Sequence, residues 1–339
     1  MLISYKWGGF FLKNKIAVIF TGGTISMKVD PTLNAAIPSM SSEEIMGKVT
    51  NIERFTDVEL VQFANIPGPH MDLEKMLELS NLVKDYMRRD DIMGIVVTHG
   101  TDTLEETAYF LDLTVDTYKP VVVVGAMRNG SELGYDGPSN ISAAICTALS
   151  PESKNRGVLV VLNNEVNAAS EVTKTNTLSL NTFQSPEFGP LGIVDNDEVI
   201  YYRSINRHNT MTIDTVDSKV ALIKCVAGMD SDFIDFCIEN NYRGIVLEGM
   251  GRGNVPPNLV DSIVRAIDQN IPVVLVSRCP TGRVLDTYGY PGAGRILREK
   301  GVILGFNLPG QKARIKLIVA LNHTSNYSDI RDIFEKGLY

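Results

Sequence analysis

Short β-branched runs recur along the first half of the chain, and each breaks off in a polar turn. Residues 15–21, 58–63, 95–97, 120–124 and 157–162 are nearly continuous in valine, isoleucine and other apolar side chains. A strand that is apolar on both faces needs cover on both faces, as in a parallel sheet. Helical periodicity lies between these runs, at 41–49, 71–88, 103–114 and 139–149. The alternation predicts an α/β fold with a larger N-terminal, mostly parallel sheet domain at 15–195. Residues 196–218 are polar and lack a buried helical pattern, so they read as a linker. A smaller C-terminal α/β domain is expected at 219–339. Its strands are read at 220–226, 244–247 and 272–277, and its helices at 231–240, 257–269, 293–300 and 311–321.

Composition narrows the function classes. The net charge is −8 over 339 residues and no long basic run appears, which argues against a nucleic-acid partner. The four cysteines are scattered and the four histidines form no His-x-x-x-His pair. No metal site is therefore expected, and the cysteines read as small hydrophobes in a reducing compartment. No stretch reaches the length of a membrane span. Residues 1–14 carry an apolar run too short for a secretory signal and interrupted by Lys6 and Lys13. A cytoplasmic protein with a short extension before its first strand is the expectation.

The chemistry sits in the turns that end the strands. After Ile95-Val96-Val97 the chain reads Thr98-His99-Gly100-Thr101-Asp102-Thr103, and Thr103-Leu104-Glu105-Glu106 has the pattern of a capping box. Thr101 and Asp102 thus fall between a strand's carboxyl end and a helix's amino end, where open α/β sheets bind ligands. A threonine hydroxyl becomes a nucleophile only beside a base. Asp102 offers either an orienting carboxylate or a seat for a substrate ammonium. A second reading stays open here, in which Thr101 and Thr103 only cap the helix and Asp102 only complements its dipole.

The first strand ends in Gly22-Gly23-Thr24, whose glycines permit a sharp turn but whose spacing matches no phosphate-binding loop. The second strand is followed by Pro67-Gly68-Pro69-His70, with His70 read as solvent-facing rather than as a base. The fourth is followed by Gly125-Ala126-Met127-Arg128. Residues 27–40 hold two prolines without periodicity and read as a loop that folds over the site. Lys174, in a polar stretch, is either a solvated lysine or the partner of a site carboxylate.

Three segments are distinctive together: Thr21-Gly22-Gly23-Thr24-Ile25, His99-Gly100-Thr101-Asp102-Thr103 and Val172-Thr173-Lys174-Thr175. With residues 105–114, Asp136-Gly137-Pro138 and Gly189-Pro190-Leu191-Gly192, they resemble the bacterial-type L-asparaginases from about residue 15 onward. The resemblance implies hydrolysis of the side-chain amide of L-asparagine to aspartate and ammonia, without a cofactor. It implies two α/β domains and a homotetramer of tight dimers. It makes Thr24 the nucleophile and Thr101, Asp102 and Lys174 the second catalytic set. Substrate contacts are implied at Gly68, Asp102 and Ala126, with Asn254 reaching in from a neighbouring subunit.

Two positions depart from the family's pattern. Gly68-Pro69 stands where a serine and a polar residue are usual, and the loop at 27–40 lacks the tyrosine that relatives commonly carry there. Tyr288 or Tyr290 is expected to supply that phenol from the adjacent subunit. Competing readings are a glutaminase, the ammonia-generating subunit of an amidotransferase, and an amino-acid-binding sensor without turnover.

Overall fold

Every apolar run read as a strand in the first half of the chain forms one. The computed structural model describes residues 15–50, 52, 56–206 and 209–336, so the extension expected at 1–14 lies outside the described residues. The strands of the first half are β1 (Lys15–Gly22), β2 (Met27–Asp30), β3 (Ala35–Pro38), β4 (Asp57–Ile66), β5 (Ile92–Thr98), β6 (Val121–Val124), β7 (Val158–Leu162) and β8 (Glu165–Ala168). Then come β9 (Thr173–Lys174), β10 (Phe183–Gln184), β11 (Gly192–Asp195), β12 (Glu198–Tyr201), β13 (Val220–Lys224), β14 (Gly244–Gly249), β15 (Val273–Ser277) and β16 (Ile303–Leu304). The helices are α1 (Ser42–Met46), α2 (Leu73–Met87), α3 (Leu104–Thr114), α4 (Gly137–Leu149), α5 (Asp232–Glu239), α6 (Val260–Asp268), α7 (Gly294–Glu299), α8 (Gly310–His323) and α9 (Tyr327–Glu335).

The large sheet has eight strands in the order β12-β11-β8-β7-β6-β5-β1-β4. Strands β4, β1, β5, β6 and β7 are parallel, and β8, β11 and β12 extend the sheet antiparallel. Side chains alternate along β1. Ile16, Val18 and Phe20 pack with Ile141 and Ile145 of α4, whereas Ala17 and Ile19 pack with Leu79 of α2 and Leu104 of α3. Both faces are covered, which explains why Val121–Val124 are apolar without interruption. Burying each such side chain contributes about 1.5–3 kcal/mol. The chain passes from β1 to β4 on one side and returns to β5 on the other. The strand order reverses between β1 and β5, and a crevice opens at their carboxyl ends.

The second sheet is wholly parallel, β13-β14-β15-β16. Helix α8 lies between that sheet and α3: Ile315, Leu317 and Ile318 share one hydrophobic cluster with Tyr109, Phe110 and Leu113. The two domains are joined through core, not only through chain.

Two expectations are corrected. Residues 27–40 are not a plain loop, because β2 and β3 pair as an antiparallel hairpin. Asp30 Oδ1 accepts from the N–H groups of Thr32 and Leu33 at 2.8 and 2.9 Å, and Asn34 takes a left-handed φ of 50°. These are turn signals within the sequence. The strands themselves are half-exposed and carry no buried face to reveal them. The first domain also runs past residue 195. Asn196 and Asp197, at φ 47° and 63°, form a two-residue turn that returns β12 against β11. Four residues of the expected linker are therefore an edge strand of the large sheet.

Candidate active site

Three turns converge at the crevice, and glycine lets them touch. Gly23 follows β1 at a φ of 85°, and a Cβ built on it would stand 2.2 Å from Gly100 Cα beyond β5. A Cβ on Gly100 would stand 2.7 Å from Gly68 Cα beyond β4. A side chain at either position would force the turns apart. Thr24 and Thr101 each follow a glycine of this contact, so the two hydroxyl-bearing turns meet back to back. Polar bonds fix the arrangement: Gly23 N donates to Ile66 O at 2.8 Å, and Thr21 Oγ1 donates to Thr98 O at 2.8 Å.

The capping-box expectation at Thr103 is corrected. Its backbone sits at φ −122°, ψ 10°, away from the extended geometry of an N-cap, and its side chain caps nothing. Instead Thr103 Oγ1 donates to Gly68 O at 2.7 Å, tying the start of α3 to the β4 turn.

Lys174 completes the group. The short β9–β10 pairing fixes its backbone. Its Nζ donates to Thr101 Oγ1 at 3.0 Å and to Asp102 Oδ1 at 2.8 Å. With its side chain 18% exposed, it is not a freely solvated surface lysine. An ammonium has only donors, so Thr101 Oγ1 accepts from it and turns its own hydrogen elsewhere. Asp102 is 63% exposed and accepts from Lys174 through its Oδ1. Thr24 is partly buried at the head of the single turn Thr24–Ser26. Gly68 and Ala126 are buried around the same turns, and a Cβ on Gly125 would lie 3.1 Å from Thr101 Cγ2. A Cβ on Gly68 would meet Asp102 Cβ at 3.4 Å, an ordinary contact, so packing alone does not demand glycine there.

His99 lies two residues before Thr101 and is held as a buried ring. It is fully buried, its Nδ1 bonds Gly100 O at 2.8 Å, and burial pushes its pKa down to about 4. His70 is exposed, as expected. Sequence reasoning missed Tyr135. Its hydroxyl donates to the carbonyl of Ile25, the residue after Thr24, and its ring lies against Gly137. No local pattern announces a contact between residues 110 positions apart. Asn254, Tyr288 and Tyr290 belong to the C-terminal domain. Among the described residues they share no hydrogen bond with Thr24, Thr101, Asp102 or Lys174.

Two family models match the chain. The N-terminal asparaginase domain matches residues 15–207, and the glutaminase/asparaginase C-terminal domain matches 219–334. The L-asparaginase of Bacillus licheniformis is 36% identical over 323 residues, spanning 95% of this chain and 99% of its own. The glutaminase-asparaginase of Acinetobacter glutaminasificans is 30% identical over 334 residues, spanning 95% and 99%. The crystal structure of a probable cytoplasmic L-asparaginase from Campylobacter jejuni aligns with a TM-score of 0.83 at 32% identity, over 95% of this chain and 99% of that one.

Proposed function

The chain belongs to the asparaginase family, and from that premise we propose that it hydrolyses the side-chain amide of L-asparagine to L-aspartate and ammonia. The observation that carries the reading is Lys174 Nζ held between Thr101 Oγ1 and Asp102 Oδ1. Asp102 receives the substrate's ammonium, and the N–H of Gly68 faces its carboxylate. With both ends of the amino acid fixed, the amide carbon lies over Thr24. Thr24 Oγ attacks that carbon as its hydrogen passes to a phenolate oxygen of Tyr288 or Tyr290 from the adjacent subunit. The carbonyl oxygen becomes an oxyanion facing the turn amides at Thr24 and Thr101, where each donor contributes about 2.7–4 kcal/mol. The C–N bond breaks as the nitrogen takes a proton from Thr101, with Lys174 behind it, and ammonia leaves. Water then cleaves the Thr24 ester, releasing aspartate and restoring the hydroxyl. The scheme uses no cofactor.

Ala126 lines the substrate's floor. Asn254, Tyr288 and Tyr290 complete the site from the adjacent subunit of a homotetramer built of tight dimers. The protein works in the cytoplasm: its four cysteines are all unbridged, which suits a reducing compartment. Among the described residues no helix is long and apolar enough to cross a membrane.

Ammonia release from asparagine, glutamine and their D-forms tests the reading. Thr24→Ala and Thr101→Val each lower turnover by about 10⁴-fold with the fold intact. More than a tenth of wild-type turnover in either variant sinks that assignment. Asparagine is preferred over glutamine, because one methylene is worth about 1–3 kcal/mol in a shaped pocket. A kcat/KM for glutamine equal to that for asparagine overturns the preference.

A further inference from the structure

Lys312 is an ammonium where a hydrophobic side chain would pack more easily. It is 0% exposed in the first turn of α8, where a positive charge also opposes the helix dipole. Burial pulls its pKa down to about 8, against the carboxylates of Glu105, Asp112 and Glu171, which favour the charged form. The ring of Tyr109 lies 5.7 Å from Nζ. A buried cation is costly unless its donors are used, and here they are used on one segment. Lys312 Nζ donates to Ala169 O at 2.7 Å and to Val172 O. Those carbonyls belong to the tight turn between β8 and β9, closed by Glu171 N and Val172 N on Ala168 O at 3.1 and 3.0 Å. Two residues beyond Val172 stands Lys174.

The neighbouring side chain reaches the other half of the site. Gln311 Nε2 donates to Glu105 Oε1 at 3.2 Å. Glu105 is buried in the first turn of α3, three residues past Asp102. Consecutive residues of one C-terminal-domain helix thus hold the segment that carries Lys174 and the helix start that follows Thr101 and Asp102.

We propose that Lys312 is a positioning residue for the proton relay: with Gln311 it sets, from the C-terminal domain of the same chain, the spacing at which Lys174 meets Thr101 and Asp102. The inference rests on the reading of Thr101 and Lys174 as the donors to the leaving ammonia. A lysine kept only for stability would weaken the fold without regard to leaving group. A positioning lysine matters most where the leaving nitrogen must be protonated.

The experiment compares asparagine with an aryl β-ester of aspartate, whose phenolate departs without protonation. In Lys312→Met, kcat for asparagine falls by about tenfold or more, a modest share of what general-acid catalysis supplies. KM stays within about twofold, and kcat for the ester within about threefold. Parallel losses on both substrates, or asparagine turnover above half of wild type, overturn the inference. If Lys312→Met does not fold, Gln311→Met carries the same contrast from a partly buried position. There a loss of about threefold confined to asparagine supports the inference, and a parallel loss or none overturns it. A wild-type chain that hydrolyses neither compound would overturn the reading of the site itself, and the inference with it.

Discussion

An ammonium that donates to a threonine hydroxyl decides which way that hydroxyl can point. Lys174 does this to Thr101, which leaves the hydroxyl's own hydrogen free to point elsewhere. His99 is the contrasting case. Its pKa falls from 6.5 to about 4 because burial disfavours the charged ring. Between pH 6.5 and 4 the unfolded chain holds a proton there that the folded chain does not. Stability contributed by the neutral ring is therefore complete above pH 6.5, declines as pH falls, and is gone below about 4. A pKa fall of that size corresponds to stability on the order of 3 kcal/mol. Urea unfolding of the wild type and of His99→Asn at pH 7 and pH 4.5 checks this. The variant starts less stable, since it leaves a cavity, but loses less on acidification. An equal loss in the two proteins would count against a neutral buried His99.

At the scale of elements, the strand ends were legible because their chemistry is punctuation. A β-branched run that breaks off near Gly-Thr announces a turn and so singles out Thr24, Thr101 and Asp102, while their roles are implied by the resemblance to the L-asparaginases. Lys174 could not, since one lysine in a polar stretch looks like any other until β9 and β10 aim it. The hairpin β2–β3 stayed hidden for a different reason. Its strands bury little, and what holds it is distant: Gly130 N donates to Met27 O at 2.9 Å and Val29 N to Ser131 Oγ at 3.1 Å. The segment that braces it is itself rigid, with Asp136 accepting from the N–H groups of Met127 and Arg128 at 3.0 and 2.9 Å. Tyr135 extends that brace to the turn bearing Thr24. Tyr135→Phe should cost about 1 kcal/mol of stability, the worth of one partly buried hydrogen bond. Because Ile25 follows the proposed nucleophile, kcat should fall several-fold while KM changes little. Denaturant unfolding beside steady-state kinetics reads both. A variant with lost stability but unaltered kcat would make Tyr135 a scaffold residue only.

At the scale of the molecule, the C-terminal domain faces two ways. Through α8 it reaches its own chain's Lys174 segment. Its far loops turn outward. Leu285 N donates to Arg252 O at 3.0 Å and Val255 N to Gly292 O at 2.8 Å, so the segments holding Asn254 and the two tyrosines form one surface. Tyr288 and Tyr290 are 45% and 50% exposed there, with ring centroids 6.0 Å apart. The Oδ1 of Asn254 is buried without a hydrogen-bond partner among the described residues. Exposed paired aromatics beside an unsatisfied amide are what a subunit interface uses. If this surface completes the site of an adjacent subunit, no single chain holds a whole site. Thr24→Ala chains would then lack the nucleophile, and Tyr288→Phe or Tyr290→Phe chains would lack the phenol donated in trans. Mixing equal amounts of the two inactive proteins under conditions of subunit exchange makes half of the dimers hybrid. Each hybrid carries one intact site of two, so about a quarter of wild-type activity should return. Full activity in both tyrosine variants alone, or no recovery from parents shown to co-assemble, would rule out a phenol supplied across the interface.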